Sequence, residues 1–84
     1  MYIQIMQTTI VNDTSHLQII ANKSEKFILK ILDVQGRIAK TFVHQINSGY
    51  QQISCEFNDL SQGAYVMNAF CGASFVKAIR FNKH

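Results

Sequence analysis

Two cysteines and three histidines are the residues with which this 84-residue chain could do nucleophilic or metal chemistry. The histidines are far apart in the sequence and lack the spacing of metal ligands, so we expect solvated or hydrogen-bonded side chains. A nucleophilic pair could join Cys55 to His44 or to His16. However, Cys55 shares the apolar side of an alternating segment with Ile53 and Phe57, and burial raises the pKa of a thiol and makes it unreactive.

The acidic residues and the glycines predict no catalytic or cofactor site. The acids fall in predicted turns or on the polar side of a strand, and they suggest no acid–base pair with distinct environments. Four glycines are spread over four turns and form no phosphate-binding loop. A disulfide between Cys55 and Cys71 is conceivable, but we expect buried thiols because each cysteine is in phase with apolar neighbours. The sequence therefore predicts a protein that is not an enzyme and holds no cofactor or metal.

Aromatic rings could form another kind of site, a platform on which sugars stack. The rings that could lie outside the core are those of Tyr2, Phe42, Tyr50 and Phe75. We favour packing in the core and at sheet edges for these rings, because burial of their large apolar area is their usual role. A stand-alone adhesive or carbohydrate-binding sandwich is the alternative function that this pattern leaves open.

Length and composition indicate a single folded domain over residues 1–84. The chain is 48% hydrophobic and 15% charged, which is too apolar for a disordered segment. The net charge of +3 comes from scattered basic residues, which argues against a nucleic-acid-binding surface. No apolar run reaches the roughly 18 residues of a transmembrane helix. The first residues lack the pattern of a signal peptide, so we expect a chain that stands alone to be cytoplasmic.

Alternation with a period of two is the dominant pattern, and it predicts strands. Ile53, Cys55 and Phe57 point to one side of residues 52–57, and polar residues point to the other. In residues 27–32, alternate apolar side chains likewise face one way and Lys30 faces the other. The remaining predicted strands are residues 2–6, 16–21, 37–43, 64–71 and 74–81. Turn residues separate these segments, so we expect an all-β fold, a small antiparallel immunoglobulin-like β-sandwich of about seven strands.

Two motifs stand at the turns of this predicted sandwich. Residues 29–40 run from a strand into an Asp-x-x-Gly-Arg turn and out into a second strand; the motif residues are Asp33, Gly36 and Arg37, followed by Lys40. Residues 58–67 contain a Leu-x-x-Gly-x-Tyr motif, made of Leu60, Gly63 and Tyr65. A last apolar strand with a lysine, Lys77, follows a short turn. In order and spacing, residues 16–83 resemble the C-terminal sorting domain of proteins exported by the type IX secretion system of Bacteroidetes.

Physical chemistry gives the motif residues roles in forming the fold. Gly36 and Gly63 can adopt backbone conformations with positive φ that other residues resist. Asp33 can accept hydrogen bonds from amides of its turn. Tyr65 can bury its ring and direct its hydroxyl to a backbone partner.

The resemblance implies a non-catalytic sorting module that an outer-membrane translocon recognises and a sorting protease removes. It implies a passenger protein that reaches the cell surface or is secreted. The last strand, residues 74–81, is apolar on both sides, a pattern typical of burial or of an edge that pairs with a partner. We expect this strand and Lys77 to contribute to recognition, and an edge strand also offers a route to a homodimer.

Overall fold

Strands account for most of the described part of the chain, which is residues 3–11 and 13–84 of a computed structural model. The described residues form seven strands. In chain order they are β1 (Ile3–Val11), β2 (Thr14–Ala21), β3 (Glu25–Leu32), β4 (Ile38–Ile46), β5 (Gly49–Glu56), β6 (Gly63–Cys71) and β7 (Ser74–Lys83).

The strands form a three-stranded sheet in the order β1-β2-β5 and a four-stranded sheet in the order β4-β3-β6-β7. All neighbouring strands are antiparallel. Lettered A to G in chain order, the sheets are A-B-E and D-C-F-G. This is an immunoglobulin-like arrangement in which the fourth strand joins the sheet of strands C, F and G. The predicted small antiparallel β-sandwich of seven strands is therefore confirmed.

The core lies between the two sheets and comes from alternate residues of both. The predicted inward positions of β3 and β5 are confirmed, since Phe27, Leu29, Ile31, Ile53 and Cys55 are all buried. Phe57, directly after β5, is also buried, as are Cys71 of β6 and the alternate apolar residues of β2. Ser15 is a polar residue in this apolar layer, and its hydroxyl has no hydrogen-bond partner in the described part of the chain.

Several strands are longer than the sequence predicts. β1 continues to Val11, β4 continues to Ile46, and β5 begins at Gly49. In each case the added residues are paired across the sheet; the end of β1, for example, pairs with the start of β2. Cross-strand hydrogen bonds extend a strand through residues whose side chains only weakly indicate a strand. The predicted start of the first strand, Tyr2, lies outside the described residues.

Candidate functional site

The first motif forms a closed turn between β3 and β4, built around one carboxylate. Asp33 Oδ1 accepts hydrogen bonds from the amides of Gln35 (2.9 Å) and Arg37 (3.0 Å). The Asp33 carbonyl accepts a further bond from the amide of Gly36 at 3.0 Å. Gly36 has φ of 80°, which costs a glycine little, so the predicted conformation is confirmed. The predicted role of Asp33 as an acceptor for turn amides is also confirmed.

The charge of Asp33 is satisfied inside its own turn. Its Oδ2 atom lies 3.2 Å from Arg37 Nε, which completes an ion pair. The hydrogen bond from the Arg37 amide, together with those from the Gln35 amide and the Arg37 side chain, lowers the pKa of Asp33 against the opposing effect of desolvation. Because both carboxylate oxygens have partners, Asp33 acts as a turn-forming residue.

The second motif forms a tyrosine corner at the start of β6. The ring of Tyr65 is buried, and its hydroxyl donates a 2.7 Å hydrogen bond to the carbonyl of Ser61. Immunoglobulin-like sandwiches use the same device at the entry to their sixth strand. Leu60 closes the preceding turn through its amide, which donates to the Phe57 carbonyl at 2.9 Å, and its side chain packs on the core. Gly63 has φ of 150°, as the prediction of positive φ requires.

A stack of aromatic rings joins this corner to the last strand. The Phe81 ring of β7 stacks on Tyr65, with 5.6 Å between centroids, and on Phe57, with 4.7 Å between centroids. Phe42 of β4 meets Phe57 edge-on at 5.9 Å. Each such pair adds roughly 0.5–1.5 kcal/mol beyond the burial of apolar area. The end of β7 is therefore held in place by the same residues that form the corner.

One salt bridge connects the two motif segments. Lys40, which follows the first turn, places its Nζ atom 2.7 Å and 2.8 Å from the two carboxylate oxygens of Asp59 in the second segment. The Lys40 ammonium is the main cause of a lowered pKa of Asp59. The sequence matched Lys40 to a family position but did not indicate this partner, because 18 residues separate Lys40 from Asp59 and the chain crosses from one sheet to the other between them.

Lys77 is exposed, as is Arg37 of the first motif, but it stands on the last strand rather than in a turn. It pairs across β6 with Ala69, which places it on the side of the four-stranded sheet that faces the second sheet. β7 is an edge strand, and Lys77 on it is exposed to solvent although it lies on the inner side of its sheet. Its ammonium has no ion-pair partner among the described residues.

A cleft of about 280 Å³ separates the Asp33 turn from the start of β6 and the end of β7. Asp33 and Tyr65 both line it, so the fold brings parts of the two motifs together here. Arg80 also lines the cleft from β7. Lys77 lies further along β7 and is not part of the cleft lining.

The cysteine–histidine pair that the sequence suggests is present but unsuited to nucleophilic chemistry. Cys55 Sγ lies 3.7 Å from His44 Nε2, while His16 Nδ1 lies 3.0 Å from the hydroxyl oxygen of Ser54. Burial raises the pKa of the Cys55 thiol to about 11, although the nearby charge of Lys40 acts in the opposite direction. A thiol with this pKa stays protonated at neutral pH, and the thiolate is the reactive form.

The other possible sites do not come together in the described residues. Tyr50 lies on the outer side of the three-stranded sheet, Phe75 lies on the outer side of the four-stranded sheet, and Phe42 packs on the core. Tyr2 lies outside the described residues. Over residues 3–11 and 13–84, no three His, Cys, Asp or Glu side chains are placed to hold a metal ion. The same residues contain no helix that is long and apolar enough to cross a membrane.

Comparison with known families gives a match that covers most of the chain. The family model described as the secretion system C-terminal sorting domain matches residues 8–79. The matched region contains both motifs and Lys77. None of the curated proteins compared with the chain matches it.

Proposed function

Because this chain belongs to the family of secretion system C-terminal sorting domains, we propose that Lys77 contacts the type IX secretion machinery, and that the other motif residues act by building the fold that presents it. The family's domains are non-catalytic sorting signals for that machinery. The chain is therefore a non-catalytic signal that other proteins recognise.

The exposed ammonium of Lys77 is the observation that carries this proposal. Asp33, Arg37 and Tyr65 each have hydrogen-bond partners in their own segments. Lys77 stands on an edge strand without an ion-pair partner in the described part of the chain. An exposed lysine without an ion pair in its own domain is available to a carboxylate of a binding partner.

The proposal extends to the fate of the exported protein. The passenger reaches the cell surface or the medium, and a sorting protease cleaves the domain from it. The domain itself catalyses no reaction in this scheme. The raised pKa of the Cys55 thiol supports that part, because it leaves the cysteine–histidine pair without a nucleophile at neutral pH.

A homodimer through an edge strand stays a prediction, and the strand irregularities favour β5 for it. Three edge strands contain an extra residue where their pairing register shifts: Met6 in β1, Ala39 in β4 and Val76 in β7. Such bulges hinder pairing with another chain. β5 pairs with β2 without a shift over its described length, so its other edge is the most regular.

Export of a reporter fused ahead of this domain, in a bacterium with the type IX system, tests the proposal. We expect Lys77→Ala to lower export several-fold while the melting temperature of the purified domain stays unchanged. Lys23→Ala is the matched control, since Lys23 is also exposed and lies in the β2–β3 turn. We expect its export to equal that of the unaltered domain.

Tyr65→Phe separates folding from recognition in the same assay. Loss of the hydrogen bond to Ser61 should lower the free energy of unfolding by about 1 kcal/mol and lower export only to the extent that folding is lost. Normal export of Lys77→Ala would contradict the proposed contact. A drop in export that follows the melting temperature in every variant would mean that Lys77 too acts through the fold.

A further inference from the structure

The outer face of the four-stranded sheet carries a row of apolar side chains that crosses the sheet from edge to edge. The register aligns one residue from each strand, in the order Val43, Ile28, Phe70 and Phe75. Val43 is 60% exposed and Phe75 is 58% exposed. The rings of Phe70 and Phe75 meet edge-on, with 5.7 Å between centroids. A contiguous exposed apolar surface of this kind usually marks an interaction site.

Cations stand among these apolar residues. The outward positions of the four strands include Lys26, Lys30 and Arg80. Lys30 Nζ lies 5.2 Å from the centroid of the Phe70 ring, so its charge is held at the centre of the face. No Asp or Glu occupies an outward position within the described lengths of these strands. We call this surface, defined by the apolar row and the three cations, the basic face.

The cations of the basic face differ from those that serve the fold. The cations with ion pairs in the described residues are Arg37, Lys40 and Lys83. Lys30 and Arg80 have no carboxylate partner there. Asp33 lies at the rim of the face, but both of its carboxylate oxygens have partners in its own turn. The basic face therefore presents positive charge without the negative charge that would complement it.

The outer face of the three-stranded sheet is built from a different set of residues. Two of its cross-strand rows are polar: Gln7, Gln18 and Gln52 form one row, and Thr9, His16 and Ser54 form the next. The row beyond them consists of Val11, Thr14 and Glu56, and it includes an exposed apolar residue and a carboxylate. Ile20 and Tyr50 form an exposed apolar pair at one end. We call this surface the glutamine face. It provides a matched control for any role assigned to the basic face.

We propose that the basic face is a docking surface for a component of the secretion machinery that presents apolar side chains surrounded by carboxylates. The proposal rests on the chain's acting as a sorting signal, and it adds to Lys77 a second contact region. Apolar and aromatic side chains supply the buried centre of such an interface, while Lys30 and Arg80 supply charge complementarity.

A second copy of the chain is a poorer occupant, for an electrostatic reason. A two-fold symmetric contact places the same patch of each copy against the other. Lys30 and Arg80 of one copy would then lie close to Lys30 and Arg80 of its partner, and like charges across an interface oppose association. A partner with carboxylates meets no such repulsion.

The first test replaces exposed apolar residues on each outer face and measures export of a fused reporter. We expect Val43→Ser combined with Phe75→Ser to lower export at least several-fold. The matched control, Ile20→Ser combined with Tyr50→Ser, removes a comparable exposed pair from the glutamine face and should export normally. Thermal unfolding of each purified domain identifies any variant whose loss of export comes from misfolding.

The second test reverses single charges, which changes little exposed apolar area. We expect Lys30→Glu and Arg80→Glu each to lower export, because each places a carboxylate against the partner's carboxylates. Lys23→Glu carries the same change of charge in a turn away from the basic face and should export normally. Because the cost arises from repulsion, Lys30→Gln should export better than Lys30→Glu.

The outcomes separate the docking surface from the sorting role itself. Failure of the unaltered fusion to be exported would count against the sorting role. Normal export of folded basic-face variants, alongside export of the unaltered fusion, would overturn the docking surface alone. Two further results would also overturn it: a dimer detected by light scattering that Val43→Ser and Phe75→Ser dissociate, or binding to phosphatidylglycerol vesicles that Lys30→Glu abolishes.

Discussion

The two sheets have similar inner faces and different outer faces. Inward, both sheets contribute fully buried apolar side chains, such as Leu17 and Ile19 from one sheet and Leu29 and Ile31 from the other. Outward, the three-stranded sheet presents mainly polar side chains, with the apolar Val11, Ile20 and Tyr50 and the carboxylate of Glu56 towards its ends. The four-stranded sheet presents an apolar row with cations among its residues. The inner faces together form the core of the sandwich, and the outer faces are the surfaces left for contact with a partner.

The difference shows how folding and recognition can share one small domain. The motif residues Asp33, Gly36 and Tyr65 make turns and a corner that any immunoglobulin-like sandwich could use. They identify the family but leave little of their own chemistry exposed. The exposed chemistry lies instead on the four-stranded sheet, where Lys30 of β3 and Phe75 and Arg80 of β7 share one outer face.

If the inner faces are equivalent, matched truncations in the two sheets should cost similar free energies. Leu17 of β2 and Leu29 of β3 are both fully buried. We expect Leu17→Ala and Leu29→Ala each to lower the free energy of unfolding by about 2–5 kcal/mol, through lost burial and the cavity left behind. Urea denaturation measures both values. A cost below about 1 kcal/mol for one of them would show that its sheet contributes little to the core.

The thiols give a pH-dependent test of the inner faces, because Cys55 comes from one sheet and Cys71 from the other. Burial raises the pKa of Cys55 from 9.0 to about 11, so the folded state binds the thiol proton more tightly than the unfolded state does. The free energy of unfolding is then unaffected below pH 9 and falls as the pH rises from 9 towards 11. The fall from this one group is at most about 3 kcal/mol.

Comparison of pH profiles isolates the contribution of Cys55 from other groups that titrate in this range. Cys55→Ala should unfold with a shallower dependence on pH between 9 and 11, whatever its stability at pH 7. Burial also raises the pKa of Cys71, so Cys71→Ala should make the profile shallower as well. A Cys55→Ala profile that runs parallel to that of the unaltered domain would mean that the thiol is solvated in the folded state.

The inner faces were predictable from sequence, and the outer faces were not. The alternation of Ile53, Cys55 and Phe57 identifies buried positions within one segment, because a strand's side chains have a period of two. The residues of the basic face come from four strands, and Val43 and Phe75 become members of one row only through strand order and register. The scattered basic residues therefore gave no sign that Lys30 and Arg80 share a surface.

Local chemistry explains which parts of the motifs the sequence could assign. The hydrogen bonds of Asp33 and Tyr65 reach only four residues along the chain or fewer, so turn rules predict them. The salt bridge from Lys40 to Asp59 joins residues on either side of the crossing between the two sheets, and no local rule predicts it. The strand ends were placed too early or too late for the same reason, since pairing with a neighbour decides where a strand stops.

The two outer faces should also differ in what they add to the free energy of unfolding, and this is the smallest effect that we expect. Ile28 is half-buried between Val43 and Phe70, whereas Gln18 stands between two other glutamines. We expect Ile28→Thr to lower the free energy of unfolding by about 1 kcal/mol, because it loses apolar cross-strand contacts. Gln18 is also half-buried, but Gln18→Thr should change the free energy of unfolding by less than about 0.5 kcal/mol, because the position is on the solvent side of the sheet among polar residues. Both replacements introduce the same residue near the centre of a strand, and urea denaturation measures the two effects. Equal effects would mean that the apolar row adds no stability to the folded domain.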